Sequence, residues 1–276
     1  MVPASLSVLS FLSFLSLSSL LPQDTGLTGV LSEDAFKALH ELSEADVPAS
    51  KGVELELADG TPAYLSLPED AEGPLSGVIV LHEWWGLNRH IRHWTDRLAA
   101  DGHAALAIDL YRGEVAETRD DAMELMRGVD EDAALKSLKT AHAFLVEDER
   151  VKATRTATVG WCFGGGWSLK AARTIEELDA AVIYYGRLTT DPEELRPIRA
   201  ELLGVFGNQD RGIPPETVDA FEAALKEADV EARILRYDAN HAFANPSSAR
   251  YDEESAAAAW KEVRAFLKQA LDPDAR

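Results

Sequence analysis

The run Gly160-Trp161-Cys162-Phe163-Gly164-Gly165-Gly166 constrains the fold of this 276-residue chain more tightly than any other stretch. It follows an alternating, β-branched segment over 154–160 that reads as a strand, and it precedes a segment over 165–174 that reads as a helix opening on small residues. Glycines on both sides of one reactive side chain suit a sharp, strained strand-to-helix turn, because a Cβ at Gly160 or Gly164 would collide where backbone segments approach. Such a nucleophile elbow lifts its central side chain clear of the sheet, to a helix N-terminus whose dipole favours a thiolate. Cys162 is the chain's single cysteine. An isolated cysteine is more often a buried structural residue, but here the flanks favour a nucleophile.

Two later segments supply partners. The apolar run 202–207 ends in Asn208-Gln209-Asp210, and the alternating run 232–237 is followed by Asp238-Ala239-Asn240-His241. Asp210 and His241 therefore each follow the carboxyl end of an expected strand, where open α/β sheets gather their sites. Read alone, Asp210 is a turn-capping carboxylate before Gly212 and Pro214, and His241 an exposed loop histidine. Taken together, the order nucleophile, acid, base expects Cys162 to attack a carbonyl, His241 to move the proton and Asp210 to orient the imidazole. The strand Gly77-Val78-Ile79-Val80-Leu81 runs into His82-Glu83-Trp84-Trp85-Gly86. A loop in that place lends one backbone N–H to an oxyanion hole and the residue after the nucleophile lends the other, which expects Trp84 and Phe163 as donors.

These segments, with Ile108-Asp109-Leu110-Tyr111, Tyr184-Tyr185-Gly186 and His241-Ala242-Phe243, together resemble the dienelactone hydrolases (carboxymethylenebutenolidases) over about residues 50–270. The resemblance implies an α/β-hydrolase fold. It also implies hydrolysis of a lactone or activated carboxylic ester by a Cys-His-Asp triad through a thioester acyl-enzyme, with no metal and no organic cofactor. It places Glu83 beside the thiol as a participant in its activation, against the plain reading of a solvated loop residue. Family members acting on dienelactone hold the substrate carboxylate with two arginines. Arg112 matches the first, while the second position falls at Asn245, with Arg250 nearby, so the expected substrate class is the broader one of esters and lactones. Trp84, Trp85, Tyr111, Trp161, Phe163 and Phe243 are expected either at an apolar pocket or in ordinary core packing.

The remaining sequence fits one catalytic domain over 51–272. A hairpin over 53–57 and 64–67 should sit at the sheet edge; strands near 77–82, 103–109, 154–160, 179–185, 202–206 and 232–238 then alternate with helices near 90–100, 131–146, 165–174, 215–228 and 253–270. The expected class is therefore α/β, a doubly wound, mostly parallel sheet with an antiparallel N-terminal hairpin. Residues 1–22 are apolar and uncharged and read as a signal peptide or leader, which implies secretion or a periplasmic location if cleaved and a cytoplasmic one otherwise. Residues 23–50 read as an acidic linker or a short helix around 32–43. A net charge of −21 argues against a nucleic-acid partner, and a soluble monomer acting on a small molecule, without stable membrane insertion, is expected. His90 and His93 share a helix face that reads as solvated rather than metal-binding. Two rival classes stand beside the hydrolase: a redox-sensing thiol protein, and a binding protein on a hydrolase scaffold.

Overall fold

The computed structural model describes Met1 and residues 31–69, 71, 74–272 and 274. The expected leader over 1–22 thus lies outside the described residues apart from Met1.

Among the described residues the sheet has eight strands: β1 (Val53–Glu56), β2 (Pro62–Ser66), β3 (Gly77–Leu81), β4 (Ala104–Ile108), β5 (Thr156–Trp161), β6 (Ala180–Tyr184), β7 (Glu201–Gly207) and β8 (Ala232–Tyr237). The helices are α1 (Glu33–Leu39), α2 (Arg89–Ala100), α3 (Arg119–Gly128), α4 (Glu131–Glu147), α5 (Phe163–Thr174), α6 (Pro192–Leu195), α7 (Pro215–Glu227) and α8 (Glu253–Leu271). Strand order is β1-β2-β4-β3-β5-β6-β7-β8. The first two strands pair antiparallel with their neighbours, and every later pairing is parallel. This is the expected doubly wound sheet with its N-terminal hairpin.

The apolar runs become central strands because both faces are covered. In β3, Ile79 and Leu81 face a core shared with α4, α5 and α7, represented by Leu138, Leu145, Leu169, Phe221 and Leu225. Val78 and Val80 face the opposite core, where Ile91, Trp94 and Leu98 of α2 meet Trp260, Val263 and Leu267 of α8. The period-2 alternation of one strand thus feeds two hydrophobic layers.

Helix α3 was not among the expected elements. Its signal is local: Thr118 and Asp121 form a reciprocal capping box at its start. His90 corrects the solvated-face reading, since it is 5% exposed and its Nε2 accepts a 3.1 Å hydrogen bond from Trp94 Nε1. The cause is that α2 lays this face on the sheet, and burial lowers the His90 pKa to about 4. None of the described helices is long and apolar enough to cross a membrane.

The chain order reverses at β3, which has β4 on one side and β5 on the other, both parallel. Ligand crevices of open α/β sheets form at such a switch point, beyond the strands' carboxyl ends. Glu83 and Trp84 leave β3 there, and Cys162 leaves β5 beside them.

Candidate active site

Cys162 sits between β5 and α5 with φ 53° and ψ −113°, a left-handed conformation that is costly for a residue with a Cβ. Close packing enforces it. A Cβ at Gly160 would lie 2.1 Å from Gly164 O, and one at Gly164 would lie 2.2 Å from Leu81 O. The Cys162 N–H donates to Tyr184 O at 3.0 Å, anchoring the turn to β6. Phe163 opens α5, so its N–H belongs to the first turn, which has no intrahelical acceptor.

Asp210 follows β7 and His241 follows β8. Asp210 Oδ1 accepts from the N–H groups of Gly212 (2.7 Å) and Ile213 (3.1 Å), leaving Oδ2 to accept from His241 Nδ1–H at 2.7 Å. Burial alone would depress the His241 pKa, but the Asp210 carboxylate and Cys162 outweigh it and hold the imidazole well above its usual range. His241 Nε2 and Cys162 Sγ lie within 4.8 Å of one another. His241 is thus buried rather than exposed, and Asp210 caps the turn at Gly212 and Ile213 while also holding the imidazole, because the parallel strands deliver both to one crevice.

Glu83 is buried as well, against the solvated alternative. Its Oε2 accepts from Asn245 Nδ2, and its Oε1 has no hydrogen-bond partner. Burial pushes the carboxyl up to about 7, with His241, Asn245 and Tyr185 opposing that rise. Asn245, at the position where an arginine was sought, is a buried holder of Glu83.

The structure separates the expected substrate contacts. Arg112 donates from Nη1 to Thr61 Oγ1 (2.9 Å) and from Nη2 to Ser137 Oγ (3.3 Å), beside Asp59, so its polar contacts lie with the β1–β2 turn and α4 rather than with Cys162. The geometric reason is its left-handed backbone, φ 58°, in the turn after β4. Phe243 is fully buried between Tyr185 and Tyr237, and Trp161 stacks between Trp94 and Tyr184; both are core. Trp85 packs edge-on against Trp84 in a cluster with Phe36 and Met123. Tyr111 and the half-buried Phe163 remain near the nucleophile, their rings 5.5 Å apart, with the Tyr111 hydroxyl buried and unpartnered.

One residue of the site was missed entirely. His40, at the end of α1, is buried with Nε2 3.2 Å from Cys162 Sγ. Its ring centroid lies 4.2 Å from that of Trp84 and 4.9 Å from that of His241. Residues 31–50 are held down by the Leu42–Ser248 bridge, by Ala249 N–H donating to Glu41 O at 3.0 Å, and by Arg89 Nη2 donating to Val47 O at 2.8 Å. The signal present in the sequence was the Ser32 cap followed by Phe36, Leu39 and His40, a one-sided i, i+3, i+4 stripe with nothing local to bury it.

A family model described as the dienelactone hydrolase family matches residues 61–271. A protein of Escherichia coli K12 named "Putative carboxymethylenebutenolidase" is 33% identical over 227 residues, spanning 76% of this chain and 83% of its own. Among solved structures, a "Putative Dienelactone Hydrolase" of Klebsiella pneumoniae superposes with TM-score 0.73 at 31% identity, covering 80% of this chain and all of that one. A dienelactone hydrolase-like promiscuous phosphotriesterase from metagenomic libraries superposes with TM-score 0.72 at 26% identity, covering 82% of this chain and all of that one.

Proposed function

Because the chain belongs to the dienelactone hydrolase family, we propose that it hydrolyses lactones or activated carboxylic esters with Cys162 as nucleophile, His241 as proton carrier and Asp210 as its orienting carboxylate. The observation that carries this reading is the Asp210–His241 hydrogen bond of 2.7 Å aimed at a thiol held on a strained elbow. Cys162 sulfur attacks the carbonyl carbon, and the thiol proton passes to His241. His241 then protonates the leaving alkoxide as the C–O bond breaks, giving a thioester. Water, deprotonated by His241, cleaves the thioester and restores the thiol. The N–H groups of Trp84 and Phe163 receive the oxyanion in both steps; each such donor is worth roughly 3–4 kcal/mol of barrier.

The test is a panel of lactones and activated esters, with and without a free carboxylate, read by initial rate and by intact mass. The expected result is turnover together with a transient acyl adduct on Cys162. A folded protein inert on every substrate, with no adduct, removes the proposal. The panel also settles charge preference. Arg250 Nη1 is buried without a hydrogen-bond partner, and Arg250 is the least of the groups that, after burial and His241, lower the pKa of His40, so it is the cation available to an acid-bearing substrate in place of Arg112.

Glu83, held by Asn245 and within electrostatic reach of His241, supports a further expectation. A carboxyl pushed up to about 7 by burial changes the charge beside His241, and so its proton transfer, across neutral pH. Glu83→Gln should lower kcat by roughly 10–100-fold and erase the limb of the pH–rate profile near 7, while leaving the melting temperature nearly unchanged. A mutant profile that keeps the wild-type limb would take Glu83 out of the mechanism.

A further inference from the structure

We propose that His40, Cys162 and His241 form a binding site for a thiophilic divalent cation, zinc foremost, and that its occupancy holds the enzyme inactive. The three ligand atoms, two imidazole nitrogens and one sulfur, all lie within 4.8 Å of one another and all three residues are buried. An ideal tetrahedral zinc site with Zn–S of about 2.3 Å and Zn–N of about 2.0–2.1 Å has N···S edges of roughly 3.5 Å. The His40 Nε2–Sγ separation of 3.2 Å is already close to that edge.

The tautomers are set in advance. His40 Nδ1 is 2.8 Å from Phe36 O, and a carbonyl can only accept, so the proton of neutral His40 is on Nδ1 and the Nε2 lone pair faces sulfur. His241 Nδ1–H donates to Asp210 Oδ2 in the same way. A histidine whose far nitrogen donates to a carbonyl or carboxylate is the usual outer arrangement of a metal ligand. With both Nδ1 atoms protonated, the three inward atoms share a single proton, that of the thiol. Whichever atom holds it, two others direct lone pairs at the same small space. A divalent cation satisfies all three: it binds the thiolate and both Nε2 atoms, the shared proton leaves to solvent, and no electrons are transferred.

Sulfur with two imidazoles favours zinc over magnesium or calcium, and three protein ligands leave the fourth tetrahedral position for water or a small anion. Catalysis and metal binding are then mutually exclusive, since the same sulfur lone pair and the same His241 nitrogen serve both. The third ligand comes from residues 31–50, and His40 lies outside the 61–271 span that matches the family model.

The inhibitory half of this inference rests on the hydrolase reading; the binding half does not, and the two are measured separately. Cobalt(II) is titrated into metal-free protein and followed by sulfur-to-cobalt charge-transfer absorption, with zinc(II) then displacing it. One equivalent should give the band, Cys162→Ser should abolish it, and His40→Ala and His40→Gln should each weaken binding by about 100-fold with unchanged circular dichroism. Absence of the band in the wild type, or His40 variants that bind as tightly as the wild type, overturns the proposal. In parallel, stoichiometric zinc should suppress ester turnover and a chelator should restore it. Bound metal with undiminished turnover overturns the inhibitory role alone, and bound metal in a protein that never turns over esters points to failure of the hydrolase reading instead.

Discussion

Replacing Cys162 by alanine is expected to bring ester and lactone turnover down to the background rate, a loss of roughly 10⁴-fold or more, or about 5.5 kcal/mol of transition-state stabilisation. Alanine removes the sulfur and nothing else from the turn. The strained backbone at φ 53° is enforced by the flanking glycines and by the Tyr184 carbonyl rather than by the thiol, so the far-ultraviolet spectrum and melting temperature should stay near wild type. A second variant checks the chemistry in another way: Asp210→Asn leaves a similar shape but withdraws the carboxylate that orients His241 and stabilises its imidazolium once the proton has arrived. Its expected loss is also several orders of magnitude. Cys162→Ala retaining more than a few per cent of the wild-type rate would mean that the thiol is not the nucleophile.

The second large effect concerns stability. Gly164→Ala places a methyl carbon 2.2 Å from Leu81 O and 2.6 Å from His82 O, both backbone atoms of β3 and its exit. Neither can swing aside like the end of a flexible side chain, so α5 must shift away from the sheet. The expected cost is at least ~3 kcal/mol, which for a domain of this size lowers Tm by roughly 6–12 °C. Gly128→Ala serves as the comparison, because an added Cβ there meets nothing within 4 Å at the end of α3; its effect should stay within about 1 kcal/mol. Equal melting temperatures for the two variants would show that the elbow is not packed as described.

Much of this molecule could be read along the chain because its signals are local. The apolar runs over 77–81 and 202–207 are strands buried on both faces, and the spacing of glycines around Cys162 permits little other than a turn between strand and helix. Chain order then assigned Asp210 and His241 to the same crevice, since parallel strands all release their side chains at one edge. What local sequence left open was of another kind. Arg112 stood where a family arginine was sought, yet a left-handed backbone turns it to Asp59, Thr61 and Ser137. Phe243 and Trp161 carried the same aromatic signal as Phe163 but lie in the core beneath the site.

The sequence by itself determined the sheet, the elbow and the order of Cys162, Asp210 and His241 along the strand ends, because each depends on backbone propensity and hydrophobic period within about ten residues. Only the tertiary structure decided what surrounds the thiol. Asn245 meets Glu83 across 162 positions and His40 meets Cys162 across 122, contacts that no local pattern encodes. The second exists because a short amphipathic helix, with Phe36 and Leu39 to bury and no partner in its own segment, finds its apolar surface at Trp84, and so carries an imidazole onto the sulfur.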